Sequence, residues 1–375
     1  MWVRLIARPA RGAIGDTESI AELSPLGSSI AYTVGVPPST GAISRAPGKF
    51  NNLFGIRRPG GQQLKNSVSL APQSPSEESQ RKMTGASTGL SNPHLRSARL
   101  LQQSAVMWIA KLAISLAGAY AVLIALAYLM QTWMVFPTYL VGGGSNELPA
   151  GAARFTIPTP DGERLAAVRL PAAEGAGSNR PLILGFGGNA WNAQAMALLL
   201  HRLILDHDVV VAHYRGYPPS TGRPSAADIM ADALTVHDSV AAPSGVIAVG
   251  FSIGSGIAAH LAAERSLSGL ALVTPFDSLA ALARYHYAWA PVGLLLRHQI
   301  ETAELLRRVD APTAVIRAER DTIVPACRSE PVLEAAQHVV YRTVVSGAGH
   351  NDLYDTLEFA DAVRQAIDRI EQASS

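Results

Sequence analysis

Ser252 is the residue of this chain best placed for nucleophilic chemistry, because it lies between Gly250 and Gly254 in the pattern GFSIG. An apolar run (245–249) precedes the pattern and an Ala-rich helical run follows it at once. This strand–turn–helix order predicts a nucleophile elbow, a tight turn that exposes the serine hydroxyl at the edge of a sheet. Side chains at both glycine positions would collide with their neighbours. The amide of Ile253 would point from the helix N-terminus at a developing oxyanion.

A general base and an orienting acid are expected after two later strands. Asp321 follows the apolar segment PTAVIR, where its carboxylate would accept a hydrogen bond from a histidine Nδ1 and orient the ring. His350 lies in GAGHND after the last apolar segment, and its flanking glycines would let it reach the serine. It would act first as general base and then as general acid. Glu319 and Asp277 are the reserve acids, and a helix N-cap is the alternative role of Asp321.

The loop after the apolar segment PLILGF is expected to supply a second donor for the oxyanion. Gly187 and Gly188 would allow the backbone to approach a substrate closely, which places the amide of Asn189 opposite the amide of Ile253. An ordinary glycine loop that leads into a helix is the alternative.

Two other patterns compete with this interpretation. Residues 85–89 (GASTG) repeat the serine motif without a buried strand before them, so we attribute that match to chance. Residues 254–259 (GSGIAA) fit a dinucleotide-binding fingerprint, and Asp277 follows about where a ribose-binding acid would. A dinucleotide-dependent oxidoreductase would need neither Asp321 nor His350, and its fingerprint usually opens the sheet, so a hydrolase is the preferred interpretation.

The elements that must hold these residues alternate regularly from about residue 150. ARFTIP and LAAVRL flank Pro-Asp-Gly and predict a hairpin. Apolar strands separated by helical segments follow, at 181–186, 208–214, 245–250, 270–274, 312–317 and 339–346. Continuous apolar strands between helices predict an α/β fold with a mostly parallel central sheet and helices on both faces. Ligands of such sheets bind beyond the carboxyl ends of the strands, where the polar residues named above lie.

A membrane anchor is expected before this domain. Residues 112–130 (LAISLAGAYAVLIALAYLM) form an uncharged apolar run of about the length that crosses a bilayer core. We therefore expect a transmembrane anchor over 105–136 and a catalytic domain over 150–375. A buried core helix is one alternative. The other is a signal peptide that starts at Met107 and is cleaved after the A-x-A signal at 125–127.

The segment before the anchor differs in composition from the rest of the chain. Residues 1–104 are rich in Ser, Gly, Pro, Ala and Arg and have no apolar period, which predicts a disordered extension. Met83 and Met107 are alternative starts, which would leave most or all of this extension outside the natural protein.

The charges predict the orientation of the anchor and exclude one class of partner. Arg96, Arg99 and Lys111 precede the apolar run, and no Lys or Arg follows it until Arg154, so the N-terminus is expected in the cytoplasm and the domain on the other side. The net charge is only +2, and the basic part lacks a basic helix with interleaved aromatics, so no nucleic-acid partner is expected. The single cysteine, Cys327, excludes an intrachain disulfide and a Cys-based zinc site.

The chain resembles the α/β-hydrolase superfamily. More narrowly, it resembles the membrane-anchored α/β-hydrolase-domain serine hydrolases, a branch that includes acyl-protein thioesterases and lysophospholipid lipases. The segments that carry the resemblance are GFGGNAWN, YRGYPPSTGRPS, GFSIGSG, TPFDSL, ERDTIVP and GAGHNDL. The resemblance implies that Ser252, Asp321 and His350 form a catalytic triad and that the amides of Asn189 and Ile253 form its oxyanion hole.

The resemblance also implies an activity. It is that of a membrane-anchored serine hydrolase that cleaves a carboxylic ester or thioester, of lipid or acyl type, through an acyl-enzyme without metal or cofactor. The alternatives are an aminopeptidase-like amide hydrolase on the same triad and a non-catalytic membrane-anchored binding protein. The expected partners are the acyl substrate and the bilayer around 112–130. An aromatic and Leu-rich segment at about 280–310 lies where such folds insert a lid, and it would contact an acyl chain, contact the bilayer or simply pack on the sheet.

Overall fold

The computed structural model describes residues 93–142, 147–173, 175 and 179–374. The expected extension therefore lies outside the described residues up to residue 92, as does the GASTG pattern at 85–89. The strands are β1 Ala153–Pro158, β2 Arg164–Leu170, β3 Leu182–Phe186, β4 Val209–Ala212, β5 Val246–Phe251, β6 Gly269–Val273, β7 Thr313–Ala318 and β8 Val339–Val345. The α-helices are α1 Pro93–Val135, α2 Ala193–Leu203, α3 Ala226–Val240, α4 Ile253–Glu264, α5 Leu279–His286, α6 Val292–Leu295, α7 Thr302–Leu306, α8 Ala326–Ala335 and α9 Leu357–Ser374.

The strands form one sheet in the order β1-β2-β4-β3-β5-β6-β7-β8. The hairpin β1–β2 is antiparallel and β2 joins β4 in the same sense, whereas every pair from β4 to β8 is parallel. Every residue of β3, β5 and β6 is buried, because helices cover these strands on both faces. The predicted α/β class and mostly parallel sheet are confirmed.

Each face of the sheet has its own apolar layer. α3 and α4 pack on one face, and α2 and α9 pack on the other. The pattern of α9 shows why it takes this position, since Phe359, Val363, Ala366, Ile367 and Ile370 recur at helical spacing and all are buried. The two layers leave the carboxyl edge of the sheet open to loops.

The elements differ from their predicted bounds mainly where a helix is short. α6 and α7 were not expected, because four or five residues are too few to show a helical period.

α1 is longer than the expected anchor over 105–136. It begins at Pro93 and is about 64 Å long at the usual rise per residue. It is the one helix among the described residues that is long and apolar enough to cross a membrane, by length and composition. Its end is joined to the domain, because Phe136 is 1% exposed within the core and the Thr132 hydroxyl is 2.8 Å from Nε2 of His298.

The loop after β4 is fixed by a buried arginine. Nε of Arg215 donates to Asp232 of α3 at 2.9 Å, and its Nη2 donates to the same carboxylate at 2.6 Å. The remaining Nη1 donates to Asp161 in the β1–β2 turn. These bonds hold the pKa of Asp161 at about 2, chiefly through the hydrogen bond from Arg215. The loop that carries Tyr214 and Tyr217 is thereby tied to two other elements.

Candidate active site

Ser252 lies on a strained turn between β5 and α4. Its φ is 52° and its ψ is −116°, in a region that residues other than glycine rarely adopt. Its amide donates to the carbonyl of Val273 on the neighbouring strand at 2.9 Å. A Cβ at Gly250 would lie 2.5 Å from the carbonyl oxygen of Gly254, and a Cβ at Gly254 would collide with the carbonyl of Phe186. Glycine at both positions is therefore a steric requirement of the turn.

The structure brings Ser252, His350 and Asp321 into one hydrogen-bonded line. Nε2 of His350 lies 3.1 Å from the Ser252 hydroxyl, and its Nδ1 lies 2.7 Å from Oδ2 of Asp321. Because a carboxylate can only accept, Nδ1 carries the proton and Nε2 is left as the acceptor for the serine hydroxyl. His350 is 8% exposed and the Asp321 side chain 4%, so water competes little for these bonds.

The second oxygen of Asp321 is held by its own loop. Oδ1 accepts from the amide of Ile323 at 2.9 Å and from the amide of Val324 at 2.7 Å. Asp321 therefore has both oxygens bonded, one to backbone and one to the imidazole. A carboxylate fixed in this way orients the ring of His350 without being free to rotate.

The two reserve acids occupy other positions. The carboxylate of Asp277 contacts Nη1 of Arg328 at 3.1 Å and accepts from the amide of Ser278 at 2.8 Å. The carboxylate of Glu319 accepts from the amide of Gly347 at 2.6 Å and so holds the loop that carries His350. Neither side chain is bonded to His350, and Asp321 is the carboxylate that the structure places beside the imidazole.

The Gly-Gly-Asn loop runs beside the nucleophile. A Cβ at Gly188 would lie 3.9 Å from Cβ of Ser252, which places the backbone before Asn189 in contact range of the serine. Ile253 begins α4 immediately after Ser252, so its amide is one of the unbonded donors at the start of that helix. The two backbone segments expected to flank an oxyanion thus both adjoin Ser252.

Two tyrosines that the sequence analysis did not assign hold this loop. The Tyr214 hydroxyl donates to the carbonyl of Gly187 at 2.8 Å, and the Tyr217 hydroxyl donates to the carbonyl of Asn189 at 2.5 Å. Burial raises the pKa of both phenols well above their usual range, so both stay protonated donors. The spacing of YRGY in the sequence shows two phenols after β4, but only the order of the strands shows that β4 lies beside β3.

An aromatic cluster supports the turn from the sheet side. Phe251, the residue before the serine, packs against Trp191 with ring centroids 5.1 Å apart. Tyr354 lies 4.8 Å from the same indole, and Phe359 of α9 lies 5.5 Å from Tyr354. These rings bury the base of the turn and help to hold it in its strained conformation.

The segment expected as a lid has two unlike parts. His298, Ile300, Thr302, Leu306 and Val309 are buried, so the part from 298 onward belongs to the body of the domain. The part before it, from α5 through α6, is half-buried or exposed except for Leu282. Its base is bonded to the acid loop, because Nε2 of His286 lies 2.8 Å from the carbonyl of Ile323.

The chemistry that this arrangement can perform is nucleophilic. A hydroxyl, an imidazole and a carboxylate in line allow the hydroxyl proton to move to the imidazole as the oxygen attacks an electrophile. In the part of the chain that the structure describes, no group of three or more His, Cys, Asp or Glu side chains is arranged to hold a metal ion.

Comparison with known proteins gives the class. No family model matches the chain. The uncharacterized protein Rv2307c of Mycobacterium tuberculosis is 35% identical over 237 residues, which cover 60% of this chain and 83% of that protein. The lysophosphatidylserine lipase ABHD12 of Rattus norvegicus is 30% identical over 172 residues, covering 40% of this chain and 43% of that protein. Protein bem46 of Schizosaccharomyces pombe is 26% identical over 231 residues, covering 56% of this chain and 77% of that protein.

A solved structure shows the same fold. The esterase Pf2001 of Pyrococcus furiosus superimposes with a TM-score of 0.50 at 17% sequence identity, covering 60% of this chain and 95% of that one. This likeness shows the α/β-hydrolase fold. The sequence relatives show that the chain belongs to the α/β-hydrolase superfamily.

Proposed function

We propose that this protein is a membrane-anchored serine hydrolase that cleaves a carboxylic ester or thioester of lipid or acyl type through an acyl-enzyme. The observation that carries the proposal is the continuous line from the Ser252 hydroxyl through His350 to Asp321, with bonds of 3.1 and 2.7 Å. The strained backbone of Ser252 supports it, because strain of this kind is kept where a side chain must be presented to a substrate.

In the proposed reaction, Oγ of Ser252 adds to the substrate carbonyl carbon while Nε2 of His350 takes the hydroxyl proton. The amides of Asn189 and Ile253 stabilise the oxyanion that forms. The carbon–oxygen or carbon–sulfur bond to the leaving group then breaks, and the leaving group takes the proton from His350. Water repeats these steps on the acyl-enzyme, which releases the carboxylic acid and restores Ser252. Asp321 orients and stabilises the imidazolium in both halves.

The substrate class is inferred from the relatives and from the anchor. The relative from Rattus norvegicus is named a lysophosphatidylserine lipase, and it matches over 172 residues. α1 would keep the proposed active site close to a bilayer, where esters with acyl chains are concentrated. Both observations favour an acyl ester over a soluble peptide.

The orientation of the anchor is part of the proposal. Lys and Arg lie before the apolar run and are absent after it until Arg154, so the positive-inside rule favours a domain outside the cytoplasm. Cys327 offers a direct test, because it is the single cysteine of the chain and it is exposed on the domain. A membrane-impermeant maleimide should label it in intact cells. Labelling only after lysis would place the domain inside.

The first test of the activity is labelling of the native membrane fraction with a fluorophosphonate probe. An activated serine displaces fluoride from phosphorus and becomes phosphonylated, whereas ordinary serines do not react. We expect strong labelling of the wild type and none of Ser252→Ala. Panels of p-nitrophenyl esters and acyl thioesters of increasing chain length then define the acyl group.

The chain contains a matched control for this test. Ser87 lies in the second GxSxG pattern, so Ser87→Ala removes a serine of the same local sequence and should keep full labelling. Loss of labelling in both variants would mean that the motif is not what the probe detects. Absence of labelling in the folded wild type would refute the hydrolase and favour a non-catalytic binding protein.

A further inference from the structure

The exposed part of the lid contains an uncharged segment, residues 287–296, with the sequence YAWAPVGLLL. Two of its large apolar side chains are exposed, Leu294 at 88% and Trp289 at 50%. Arg284 and Arg297 are the nearest arginines on either side, and both are exposed. This lid segment therefore has the composition of a short insertion into an apolar medium between two charged ends.

The lid segment is bonded along α1 at two levels. The Tyr120 hydroxyl donates to the carbonyl of Trp289 at 2.9 Å. Near the end of the helix, Nε2 of Gln131 donates to the carbonyl of Leu295 at 3.1 Å, and its Oε1 accepts from the amide of Arg297 at 2.7 Å. The lid segment thus runs beside the anchor instead of folding back over the sheet.

The contact between Tyr120 and Trp289 lies deep within the apolar run of α1. Tyr120 precedes the end of that run, Met130, by about 15 Å of helix. A bilayer core is about 30 Å thick, so this is about half of its depth. If residues 112–130 cross the bilayer, the carbonyl of Trp289 lies near the bilayer midplane.

Much of the backbone of the lid segment is bonded in the way that hydrocarbon requires. A chain that enters a bilayer core must have its polar backbone groups bonded internally or to neighbouring protein. Amides that donate to carbonyls two to four residues earlier are those of Tyr287, Ala290, Val292, Leu294 and Leu296. The carbonyls of Trp289 and Leu295 accept from α1, as described above.

We propose that the lid segment, residues 287–296, is a second membrane-inserted element that lies against α1 in the hydrocarbon of the leaflet next to the domain. Its partner is the acyl chains of phospholipids, because its exposed side chains are apolar and it is bonded alongside the exposed apolar surface of α1. Through His286 and Ile323 the segment connects to the loop that carries Asp321, so the proposed active site opens beside the inserted segment. The inference rests on the membrane anchoring proposed above.

Depth-dependent quenching in vesicles tests this inference on the full chain. Cys327→Ser removes the single cysteine, and Leu294→Cys then accepts an environment-sensitive fluorophore at the most exposed apolar position of the lid segment. The labelled protein is reconstituted into phosphatidylcholine–phosphatidylglycerol vesicles with and without phospholipids that carry a nitroxide midway along the acyl chain. We expect the fluorophore to lose most of its emission to the nitroxide lipids and little to aqueous iodide.

Leu205→Cys in the same Cys327→Ser background is the matched control. Leu205 is 54% exposed, but it lies between α2 and β4 at the amino edge of the sheet, away from the lid. Its label should be quenched by iodide and spared by the nitroxide lipids. Trp289→Cys, at 50% exposure, repeats the test if Leu294→Cys does not fold.

The other outcomes contradict the proposal. Iodide quenching at both positions would place the lid segment in water. Protection of position 294 from both quenchers would mean that protein, such as a second copy or the domain itself, covers it. Fluorophosphonate labelling of the same preparations separates this test from the activity. Retained labelling with an aqueous lid segment refutes only the insertion, and an inserted lid segment without labelling refutes only the hydrolase.

Discussion

The two edges of the sheet each contain a buried histidine bonded through both ring nitrogens, and the partners differ. At the carboxyl edge, His350 lies between the Ser252 hydroxyl and Asp321. At the amino edge, His207 lies between two carboxylates, 3.0 Å from Asp206 and 3.1 Å from Glu371 of α9. Both side chains are at least nine-tenths buried.

The comparison shows that the partners of a buried histidine determine its chemistry. Both nitrogens of His207 face carboxylates, which can only accept, so neither nitrogen faces a hydroxyl whose proton it could take. His350 faces one carboxylate and one hydroxyl, which leaves Nε2 as an acceptor for a proton. His207 is therefore expected to join the start of β4 to α9, and His350 to move protons.

The largest expected effect is on catalysis. His350→Asn removes the acceptor of the serine proton, and we expect kcat/KM on a p-nitrophenyl ester to fall on the order of 10⁴-fold. Thermal unfolding in detergent should change little, because the carboxylate of Asp321 keeps its two backbone bonds. An activity loss of less than tenfold would mean that another group serves as the base.

The next prediction concerns His213 and tests whether a position at the carboxyl edge is sufficient for a buried histidine to carry a proton. His213 also follows a strand at this edge, but its Nδ1 is buried without a hydrogen-bond partner among the described residues. Burial lowers the pKa of His213 to about 4. Between about pH 6.5 and pH 4 the unfolded chain binds more protons than the folded chain, so stability falls as the pH is lowered through this window.

For His213 the loss should reach about 2–3 kcal/mol at pH 4. Thermal unfolding of the wild type and of His213→Gln between pH 7 and pH 4 measures it, and the variant should show the flatter profile. Parallel pH profiles would mean that His213 titrates normally in the folded chain.

The third prediction concerns His207, the buried histidine at the amino edge that corresponds to His350 at the carboxyl edge. His207→Asn breaks the bridge between Asp206 and Glu371, and we expect it to lower the free energy of unfolding by about 1–2 kcal/mol. Arg180 still pairs with both carboxylates, at 3.0 and 2.7 Å, which limits the loss. Fluorophosphonate labelling per folded molecule should match the wild type. Loss of labelling in molecules that remain folded would mean that His207 also supports the reactive serine, and that the two histidines do not differ in role as proposed.

The smallest effect concerns the loop beside Ser252. Tyr217→Phe removes the hydroxyl that donates to the carbonyl of Asn189, and we expect kcat to fall about three- to tenfold, or about 1 kcal/mol, at unchanged KM. The matched control is Tyr341→Phe on β8, which should leave both constants unchanged. A fall in stability with unchanged kcat would assign Tyr217 a purely structural role.

The sequence predicted those features of the site that depend on short local segments. The glycines around Ser252 and the position of Asp321 and His350 at strand ends are readable from short segments, and the structure brings the three side chains together. The tyrosine bonds to the Gly-Gly-Asn loop were not predicted, because they depend on β4 lying beside β3. Contacts between α1 and the lid segment were also missed, since hydropathy indicates that a segment is apolar without showing its neighbour.

The bond from the side-chain amide of Gln131 to Leu295 has a consequence for the order in which contacts form during synthesis. Its partner Leu295 lies 164 residues later in the chain, which a ribosome needs roughly 10–30 s to add. During that interval the end of α1 is already made, and Gln131 must bond to its own helix or to water. The hydrogen bond between Gln131 and Leu295 can therefore form only after more than half of the domain has been synthesised. Among the elements that the structure describes, α1 is synthesised first, and its contacts with the lid cannot form until α6 has been made.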